Sequence, residues 1–574
     1  MAASYLSKLN PVPGFDEYSG PYKVGTIDVE IPITELESPA PAPANSEPIE
    51  TVQFRVFYPT QPKSTGKRIT WLPAPQRDHL TAYIKFLGIG SLVAQAVSFL
   101  PRHLHYTTIP VIKNAPILEP ETPNKRWPAA IFSHGLGGSR NAYSQIVGSL
   151  ASHGVVVICP EHRDGSAVAS FVRIPSEQNR YFVRNTRRLI PYVQISHEAS
   201  DEVYAQRCSQ LRIRMWELGL IHDALLKIDK GTKLSNLNAS TPNESMTQFA
   251  NQLHIHDPGS IIFAGHSFGA ATTVQFLKSV YYAGNPALDS VAEPLYAPDE
   301  KSAICQQITP KNVTILLDLW CFPLLAKSLK PLFDLPLPVY DDVPGAPGGN
   351  GLLAVESQDF YKWKEHLHVT AHVLSPDPSA ETVEPTAYER PSGVKMAEPN
   401  FFYVHNSAHL NQSDFGVLFP WLTKKVFGSD SPERALRLNL RAILQVLRVN
   451  GVPGIARTWV GDLVEGTDAG AKAEVTKGVA GAEAGNKAAD DGIYDDRAIF
   501  ARVAEAGPVE AWSWIDIVGM GDSADSNSDV SISSKQQDSD AVKAQEPGMA
   551  NRIEPQVSES VAVQAAMSPV AATS

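Results

Sequence analysis

The sequence predicts an α/β domain whose sheet is mainly parallel and is covered by helices on both faces. Strand-like apolar segments alternate with helical patterns from Trp127 to about Gly451. One of these segments, "VVVICP" at 155–160, is apolar at nearly every position, which is typical of a strand buried on both faces. A serine between two glycines, at 265–269, stands where another such strand meets a helix. These three observations favour one large α/β domain.

The first predicted elements lie at the edge of this sheet. Apolar and polar residues alternate in Thr26–Ile33 and again in Val52–Thr60, which predicts two antiparallel strands. The segment between them, "ESPAPAPANSEP", is rich in proline and alanine and reads as a loop.

The parallel part begins with "PAAIFSHG", a strand that ends in a glycine turn. A helix is predicted over 139–154, closed by Gly154, and a long amphipathic helix over 211–228. The other predicted elements are a strand from 261 to 264 with the helix after it, strand-like runs at 312–320, 351–357 and 400–406, and a last helix at 431–451.

Composition places the end of the folded domain near residue 455. Glycine and alanine become frequent beyond Gly451, and serine, aspartate, glutamine and alanine dominate from about Asp522. Such a segment cannot bury enough apolar surface to offset the entropy of ordering it. We therefore expect a folded domain at 1–455 and a low-complexity, largely disordered extension at 456–574.

Charge and cysteine content exclude several classes of protein. The formal net charge of -12 argues against nucleic-acid binding, which requires a basic face. The four cysteines are far apart and form no CxxC pair, so neither a metal site nor a disulfide framework is predicted, and no cofactor is implied. The first fifteen residues lack the apolar run of a secretory signal, which predicts an intracellular, cytoplasmic location.

Ser267 is the candidate nucleophile. It is the centre of Gly265-His266-Ser267-Phe268-Gly269, a GxSxG pattern at a strand-to-helix junction. Such a junction holds the serine in a cramped backbone conformation that glycines two positions away relieve. The alternative is an ordinary serine that caps the following helix.

Asp318 is the candidate acid of a catalytic triad. In this type of fold the acid and then the histidine follow the serine along the chain, each after a later strand. Asp318 directly follows the apolar run "VTILL", where an unpaired carboxylate would be costly to bury. A helix-capping aspartate is the alternative reading, and weaker candidate acids are Asp334, Asp341, Asp342 and Glu356.

His409 is the candidate base, in the loop after the last predicted core strand. His405 is a rival four residues earlier. His366, His368 and His372 look like helix-face or loop residues.

Two backbone N–H groups are expected to stabilise the oxyanion. One belongs to Phe268, directly after the serine, and the other to Leu136 in the glycine-rich loop "SHGLGGSR". The polar segment Glu161–Asp164 is expected to be a charge-paired brace beneath the site, because its order of histidine and acid does not suit a triad with Ser267.

Five segments together resemble the plasma-type platelet-activating factor acetylhydrolase family, calcium-independent group VII phospholipases A2 with an α/β-hydrolase fold. In chain order they are "GPYKVGTIDVEI", "FSHGLGGSRNAYSQIVGSLASHGVVVICPEHRDGSA", "GHSFGAAT", "LDLWCFPL" and "AHLNQSDF". The resemblance runs from about Gly20 to Gly451 with gaps. It places the family's nucleophile on Ser267, its acid on Asp318 and its base on His409, and its oxyanion donors on Leu136 and Phe268.

The resemblance implies a serine esterase that hydrolyses the sn-2 acetyl or truncated acyl ester of phospholipids related to platelet-activating factor, a 1-alkyl-2-acetylglycerophosphocholine esterase without metal or cofactor. A general carboxylesterase or lipase on the same scaffold is the alternative. A non-catalytic membrane-binding protein of the same fold is a third hypothesis.

The resemblance also implies peripheral membrane contact through an apolar helix at 80–105. A helix packed on the sheet is the alternative for that segment.

Overall fold

The computed structural model describes residues 14–86, 102–178, 186–289, 291, 293–419, 432–456 and 512–521. Of the fifteen strands in these residues, eleven form one large sheet and the other four form two separate two-stranded sheets. The strands are β1 Lys23–Pro32, β2 Thr51–Thr60, β3 Ile69–Thr70, β4 Thr108–Ile109, β5 Ile112–Lys113, β6 Trp127–Ser133, β7 Val156–Pro160, β8 Ala169–Arg173, β9 Arg187–Pro191, β10 Leu253–His254, β11 Ile262–His266, β12 Thr314–Leu317, β13 Leu352–Ser357, β14 Asn400–Val404 and β15 Trp512–Trp514.

The order across the large sheet is β15-β14-β13-β12-β11-β6-β7-β2-β1-β5, and β10 pairs with β6 beside this path. The central strands from β14 to β7 are parallel to one another, while β2 pairs antiparallel with both β7 and β1. This confirms the predicted parallel sheet with an antiparallel N-terminal edge. The architecture is that of an α/β-hydrolase.

The α-helices are α1 Gln76–Phe86, α2 Arg102–Tyr106, α3 Ser144–Ser152, α4 Pro175–Gln178, α5 Asp201–Asp229, α6 Glu244–Thr247, α7 Phe268–Tyr281, α8 Ala303–Gln307, α9 Lys330–Phe333, α10 Gln358–Lys362, α11 Lys364–Leu374, α12 Asp414–Leu418 and α13 Pro432–Val449. Short 3-10 helices lie at Ile33–Glu35, Pro286–Leu288, Phe322–Leu325, Lys327–Leu329, Pro338–Tyr340, Gly348–Gly351, Pro385–Tyr388 and His409–Gln412.

The sheet is buried on both faces, because helices pack on each. The apolar residues of α5 and α7 contribute to one hydrophobic core and those of α3 and α13 to the other. Strand residues alternate between the two cores, as the period of two requires: Phe263 lies in the first, and Ile262 and Ala264 lie in the second.

Helix α3 is shorter than its predicted span of 139–154. It begins at Ser144, where the carboxylate of Asp414 accepts hydrogen bonds from the backbone N–H groups of Ser144 (2.8 Å) and Gln145 (2.9 Å). The cap therefore comes from a segment 270 residues away, and a local pattern does not reveal it.

A short part of the predicted C-terminal extension at 456–574 belongs to the fold, so the folded domain does not end near residue 455. Strand β15 pairs antiparallel with β14, and Trp512 packs on Phe402 with 4.8 Å between ring centroids. Ile517 and Met520 are buried in the same short segment. The average composition of 456–574 conceals this local cluster of apolar residues.

The predicted interfacial helix falls mostly outside the described residues, since α1 is described to Phe86 and residues 87–101 are not. Within the parts of the chain that are described, no helix combines the length and the apolar character that crossing a membrane requires.

Candidate active site

Ser267 lies in a sharp turn between β11 and α7. Its φ and ψ angles are 56° and -120°, a region that side-chain-bearing residues rarely adopt. The turn requires both neighbouring glycines. A Cβ atom at Gly265 would lie 2.4 Å from the carbonyl of Gly269, and one at Gly269 would lie 2.0 Å from the carbonyl oxygen of Ser133. The strand-to-helix junction thus holds a strained serine, the arrangement known as a nucleophile elbow.

Asp318 and His409 are in direct contact. Asp318 follows β12 and is fully buried, and its Oδ2 lies 2.8 Å from Nδ1 of His409. The backbone N–H of Ser357 donates to Oδ1 of the same carboxylate. With the Nδ1 proton donated to the ionised Asp318, Nε2 is the basic atom of His409.

The ring of His409 stacks on two other rings. The centroid of His266 lies 4.4 Å away and that of Phe360 4.6 Å away. Because His266 directly precedes Ser267, this stack places the Asp318–His409 pair beside the turn. Burial, followed by the proximity of His409, lowers the pKa of His266 well below its usual value, so this ring is neutral.

The loop with the expected oxyanion donors lies against the same turn. A Cβ atom at Gly135 would be only 3.1 Å from Cβ of Ser267. The N–H of Gly137 donates to the carbonyl of Ser166 at 2.8 Å. Within the described residues, the backbone N–H groups of Leu136 and Phe268 have no hydrogen-bond partner. Both predicted donors are therefore free to bind a negatively charged oxygen.

Tyr143 connects this loop to the turn, a role that the sequence analysis missed. Its hydroxyl lies 2.8 Å from Nδ1 of His266 and accepts a hydrogen bond of 3.0 Å from the N–H of Gly135. Only the folded chain brings these residues together, because His266 is 123 residues from Tyr143.

The other candidate histidines have different partners. Nε2 of His405 lies 2.8 Å from Oγ of Ser513. Nε2 of His366 accepts the backbone N–H of Cys321 at 3.0 Å. Nδ1 of His368 lies 2.7 Å from the carbonyl oxygen of Gly521, and His372 is buried in α11.

Three of the four weaker acid candidates lie elsewhere: Asp334 pairs with Lys330 at 2.9 Å, Asp341 accepts from the hydroxyl of Tyr281, and Asp342 accepts from Ser392.

Glu356, the fourth, is a second buried carboxyl group next to Asp318. It precedes Ser357 in β13 and is 1% exposed. Its carboxyl group lies close enough to that of Asp318 for a hydrogen bond between the two side chains. Burial, followed by the charge of Asp318, raises the pKa of Glu356 well above its usual value. Both causes favour the neutral form of Glu356.

The expected brace beneath the site is confirmed. Buried ion pairs join Arg140 to Glu161 at 2.6 Å and Arg214 to Asp164 at 2.7 Å. Nη1 of Arg214 also donates to the carbonyl oxygen of His134 at 2.8 Å, directly before the oxyanion loop. We call this group the brace, and its members are Arg140, Glu161, His162, Arg163, Asp164, Arg214 and Glu217.

The brace also contacts the turn at Ser267. The guanidinium of Arg214 lies 4.3 Å from the ring centroid of Phe268, and Nε2 of His162 lies 2.9 Å from Oγ of Ser133. These contacts hold the end of β6 and the start of α7 in register.

A metal ion would have one set of ligands at this site. His266, Asp318 and His409 each offer one ligand atom, and these atoms lie within 4.8 Å of one another. One atom of Asp318 and one of His409 are already joined by the hydrogen bond between these two residues.

Comparison with known proteins relates the chain to phospholipid-acting enzymes. A family model described as "Platelet-activating factor acetylhydrolase, isoform II" matches residues 9–337. A protein of Schizosaccharomyces pombe named "Putative phospholipase A2" is 28% identical over 454 residues, which cover 76% of this chain and 92% of that protein.

Mammalian relatives match over a shorter stretch. The "Platelet-activating factor acetylhydrolase" of Cavia porcellus is 29% identical over 45% of this chain, and that of Bos taurus is 31% identical over 39%. The matched stretch spans 51% and 46% of those two proteins. Among solved structures, a ferulic acid esterase from Streptomyces cinnamoneus aligns with a TM-score of 0.38 at 13% identity, over 76% of this chain and 92% of that one.

Proposed function

Because this chain belongs to the platelet-activating factor acetylhydrolase, isoform II, family, we propose that it hydrolyses an acyl ester of a phospholipid with Ser267 as the nucleophile. The preferred substrate in this proposal carries a short acyl group, acetyl or truncated, at the sn-2 position. The products are a lysophospholipid and a short carboxylic acid. Neither calcium nor a cofactor takes part in the proposed reaction.

One observation carries the proposal. The hydrogen-bonded pair of Asp318 and His409 stacks on His266, the residue that precedes the strained Ser267. A serine hydroxyl needs a base to remove its proton and an acid to orient that base. The chain supplies these groups in the order serine, acid, histidine that this fold uses.

In the first half of the proposed reaction, Nε2 of His409 takes the proton of Ser267 as Oγ attacks the ester carbonyl carbon. The N–H groups of Leu136 and Phe268 stabilise the resulting oxyanion. The tetrahedral intermediate then collapses: the bond to the sn-2 oxygen breaks, and His409 returns the proton to that oxygen. The lysophospholipid leaves, and the acyl group remains on Ser267.

Water completes the cycle. His409 takes a proton from water, whose oxygen attacks the acyl carbon, and the bond to Ser267 breaks as Oγ regains the proton. Asp318 stays ionised throughout and stabilises the imidazolium formed in each half. The neutral state of Glu356 keeps a second negative charge away from Asp318.

The test is hydrolysis of phosphatidylcholines of increasing sn-2 chain length in the presence of EDTA, by wild type and by Ser267→Ala. We expect cleavage confined to short chains and a loss of roughly 10⁴-fold or more in kcat for the variant. Ser260→Ala, a serine just before the same strand, is the matched control and keeps wild-type activity.

Two outcomes separate the alternatives. Cleavage of p-nitrophenyl acetate without cleavage of any phospholipid would indicate a general carboxylesterase. Inactivity on both substrates, together with no labelling of Ser267 by a fluorophosphonate, would indicate a non-catalytic protein and overturn the proposal.

A further inference from the structure

A cavity lies at the antiparallel edge of the sheet, and Ser267 is not among the residues that line it. Its volume is about 540 Å³. Parts of β1, β2, β3, β8 and β9 line it, together with residues 238–241. A volume of this size accommodates a small molecule.

The lining is strongly basic, although the chain as a whole carries a net charge of -12. Seven lysine or arginine side chains line the cavity, and Asp28 is the one carboxylate among the lining residues. Such a concentration of like charge is unfavourable unless acidic groups balance it.

Four of the seven cations have a carboxylate partner. Asp28 pairs with Arg55 at 2.8 Å and with Arg140 at 3.1 Å. Arg173 pairs with Glu30, and Arg68 pairs with Glu17. Three of these paired cations, Arg55, Arg140 and Arg173, are buried, whereas Arg68 is exposed.

The remaining three cations are Lys67, Lys113 and Arg187. No carboxylate of the described residues lies within 4.0 Å of any of them. Three of the seven lining cations therefore lack a carboxylate partner among the described residues.

The backbone places each of these three cations next to another cation of the cavity lining. Arg187 in β9 is directly opposite Arg173 in β8, a like-charge pair of the kind that destabilises a hairpin. On the other side, the backbone N–H of Lys113 donates to the carbonyl of Lys67 at 2.9 Å, so these two residues are neighbours as well. Burial, followed by repulsion from Arg173, lowers the pKa of Arg187. An anion between the two pairs would offset both repulsions.

We propose that this cavity binds a phosphate monoester, with Arg187, Lys67 and Lys113 as its principal ligands. The dianion of a phosphate monoester matches these three cations better than a singly charged group does, and arginine binds its oxygens with two parallel N–H donors. The cavity has room for a small organic group beyond the phosphate. This inference is independent of the hydrolytic activity, because Ser267, Asp318 and His409 do not line the cavity.

Calorimetric titration of the full chain with glycerol 3-phosphate, at constant ionic strength, tests the proposal. We expect saturable binding at one site per chain, and at least a tenfold weaker Kd for Arg187→Gln and for the double variant Lys67→Gln/Lys113→Gln. Lys67 is exposed and Lys113 is partly exposed, so the double variant should fold even if Arg187→Gln does not. The control variant Lys327→Gln/Lys330→Gln changes two exposed lysines elsewhere and keeps wild-type affinity.

Two further experiments identify the source of the phosphate group and distinguish this site from the proposed catalytic site. Retention on phosphatidylcholine vesicles that contain phosphatidic acid, but not on those that contain phosphatidylglycerol, would identify a lipid as the ligand. Ser267→Ala should bind glycerol 3-phosphate like wild type, whether or not the proposed hydrolysis is correct. The proposal is overturned if wild type binds neither glycerol 3-phosphate nor phosphatidic acid vesicles, or if the double variant binds them equally well.

Discussion

Two buried polar regions meet at the oxyanion loop, and they balance their charges in opposite ways. In the brace each cation lies against at least one carboxylate: Arg214 pairs with Asp164, and Arg140 pairs with both Glu161 and Asp28. At the reaction centre one carboxylate, Asp318, faces an imidazole and a backbone N–H. Matched charges make the brace rigid, while the unmatched carboxylate is available to stabilise a positive charge that forms during the reaction.

We therefore expect the largest loss of activity from a substitution that removes only the charge of Asp318. Asp318→Asn keeps the shape of the side chain, but it removes the negative charge that stabilises the imidazolium and replaces one of the two acceptor oxygens, Oδ2 for His409 or Oδ1 for the N–H of Ser357, by an NH₂ group. We expect kcat to fall by about 10⁴-fold, with a thermal unfolding midpoint close to that of wild type. Steady-state ester hydrolysis and a melting curve on one preparation measure both. A variant that keeps a tenth of the activity would remove Asp318 from its proposed role.

The same kind of change in the brace should affect stability instead. Arg214→Met leaves the carboxylate of Asp164 buried without its ion-pair partner, which typically costs about 3–5 kcal/mol. Urea unfolding measures this loss as a lower midpoint at an unchanged slope. As a control, Lys330→Met breaks a pair with Asp334 whose lysine is 71% exposed, and it should change stability by less than about 1 kcal/mol.

The candidate site residues that the sequence predicts are those with a local signal. Ser267, Asp318 and the segment before His409 each stand at the end of an apolar strand, and parallel strands bring such ends to one edge of the sheet. Tyr143 has no such signal, because its role depends on contact with His266 across the fold. Strand β15 was missed for the same reason: its pairing with β14 is fixed by residues about a hundred positions away.

Acid should lower the stability of the fold through His134, which lies beside the brace. Burial, followed by the charge of Arg214, lowers the pKa of His134 to about 4. The unfolded chain takes up this proton near pH 6.5, so stability falls as the pH drops from about 6.5 to 4, by roughly 3 kcal/mol for this group.

Urea unfolding at several pH values between 4 and 7 measures this dependence. We expect His134→Gln to take up about one proton fewer on unfolding near pH 5, which gives a shallower slope of stability against pH. An identical slope in the two proteins would show that His134 is not the group that titrates.

The hydroxyl of Tyr143 joins the loop that carries Leu136 to the turn at Ser267, so its removal should have an intermediate effect on activity. In Tyr143→Phe the N–H of Gly135 loses its acceptor, and Nδ1 of His266 loses its partner. We expect a drop of about tenfold in kcat/KM, since one lost hydrogen bond misplaces the loop that carries Leu136. Tyr18→Phe is a suitable control, because that hydroxyl donates to the carbonyl of Ser144 at 3.0 Å, outside the site. Equal losses in both variants would point to a general loss of packing.

The smallest effect on activity is expected from a change at Glu356, the second carboxyl group of the reaction centre. Glu356 and Asp318 are both buried, and the neutral form is favoured for Glu356. Glu356→Gln replaces a protonated acid by an amide of nearly the same shape, so we expect activity within about twofold of wild type near neutral pH.

The stability of this variant should differ from that of wild type increasingly as the pH rises above about 4.3. The folded-state pKa of Glu356 is raised above its unfolded value, so the folded chain binds this proton more tightly. Wild type therefore loses stability as the pH rises above the unfolded value of about 4.3 toward the folded one, and Glu356→Gln lacks this loss. If Glu356→Gln instead lost activity as Asp318→Asn does, the negative charge would be shared between Glu356 and Asp318. The reaction centre would then resemble the brace, in which several charged groups act together.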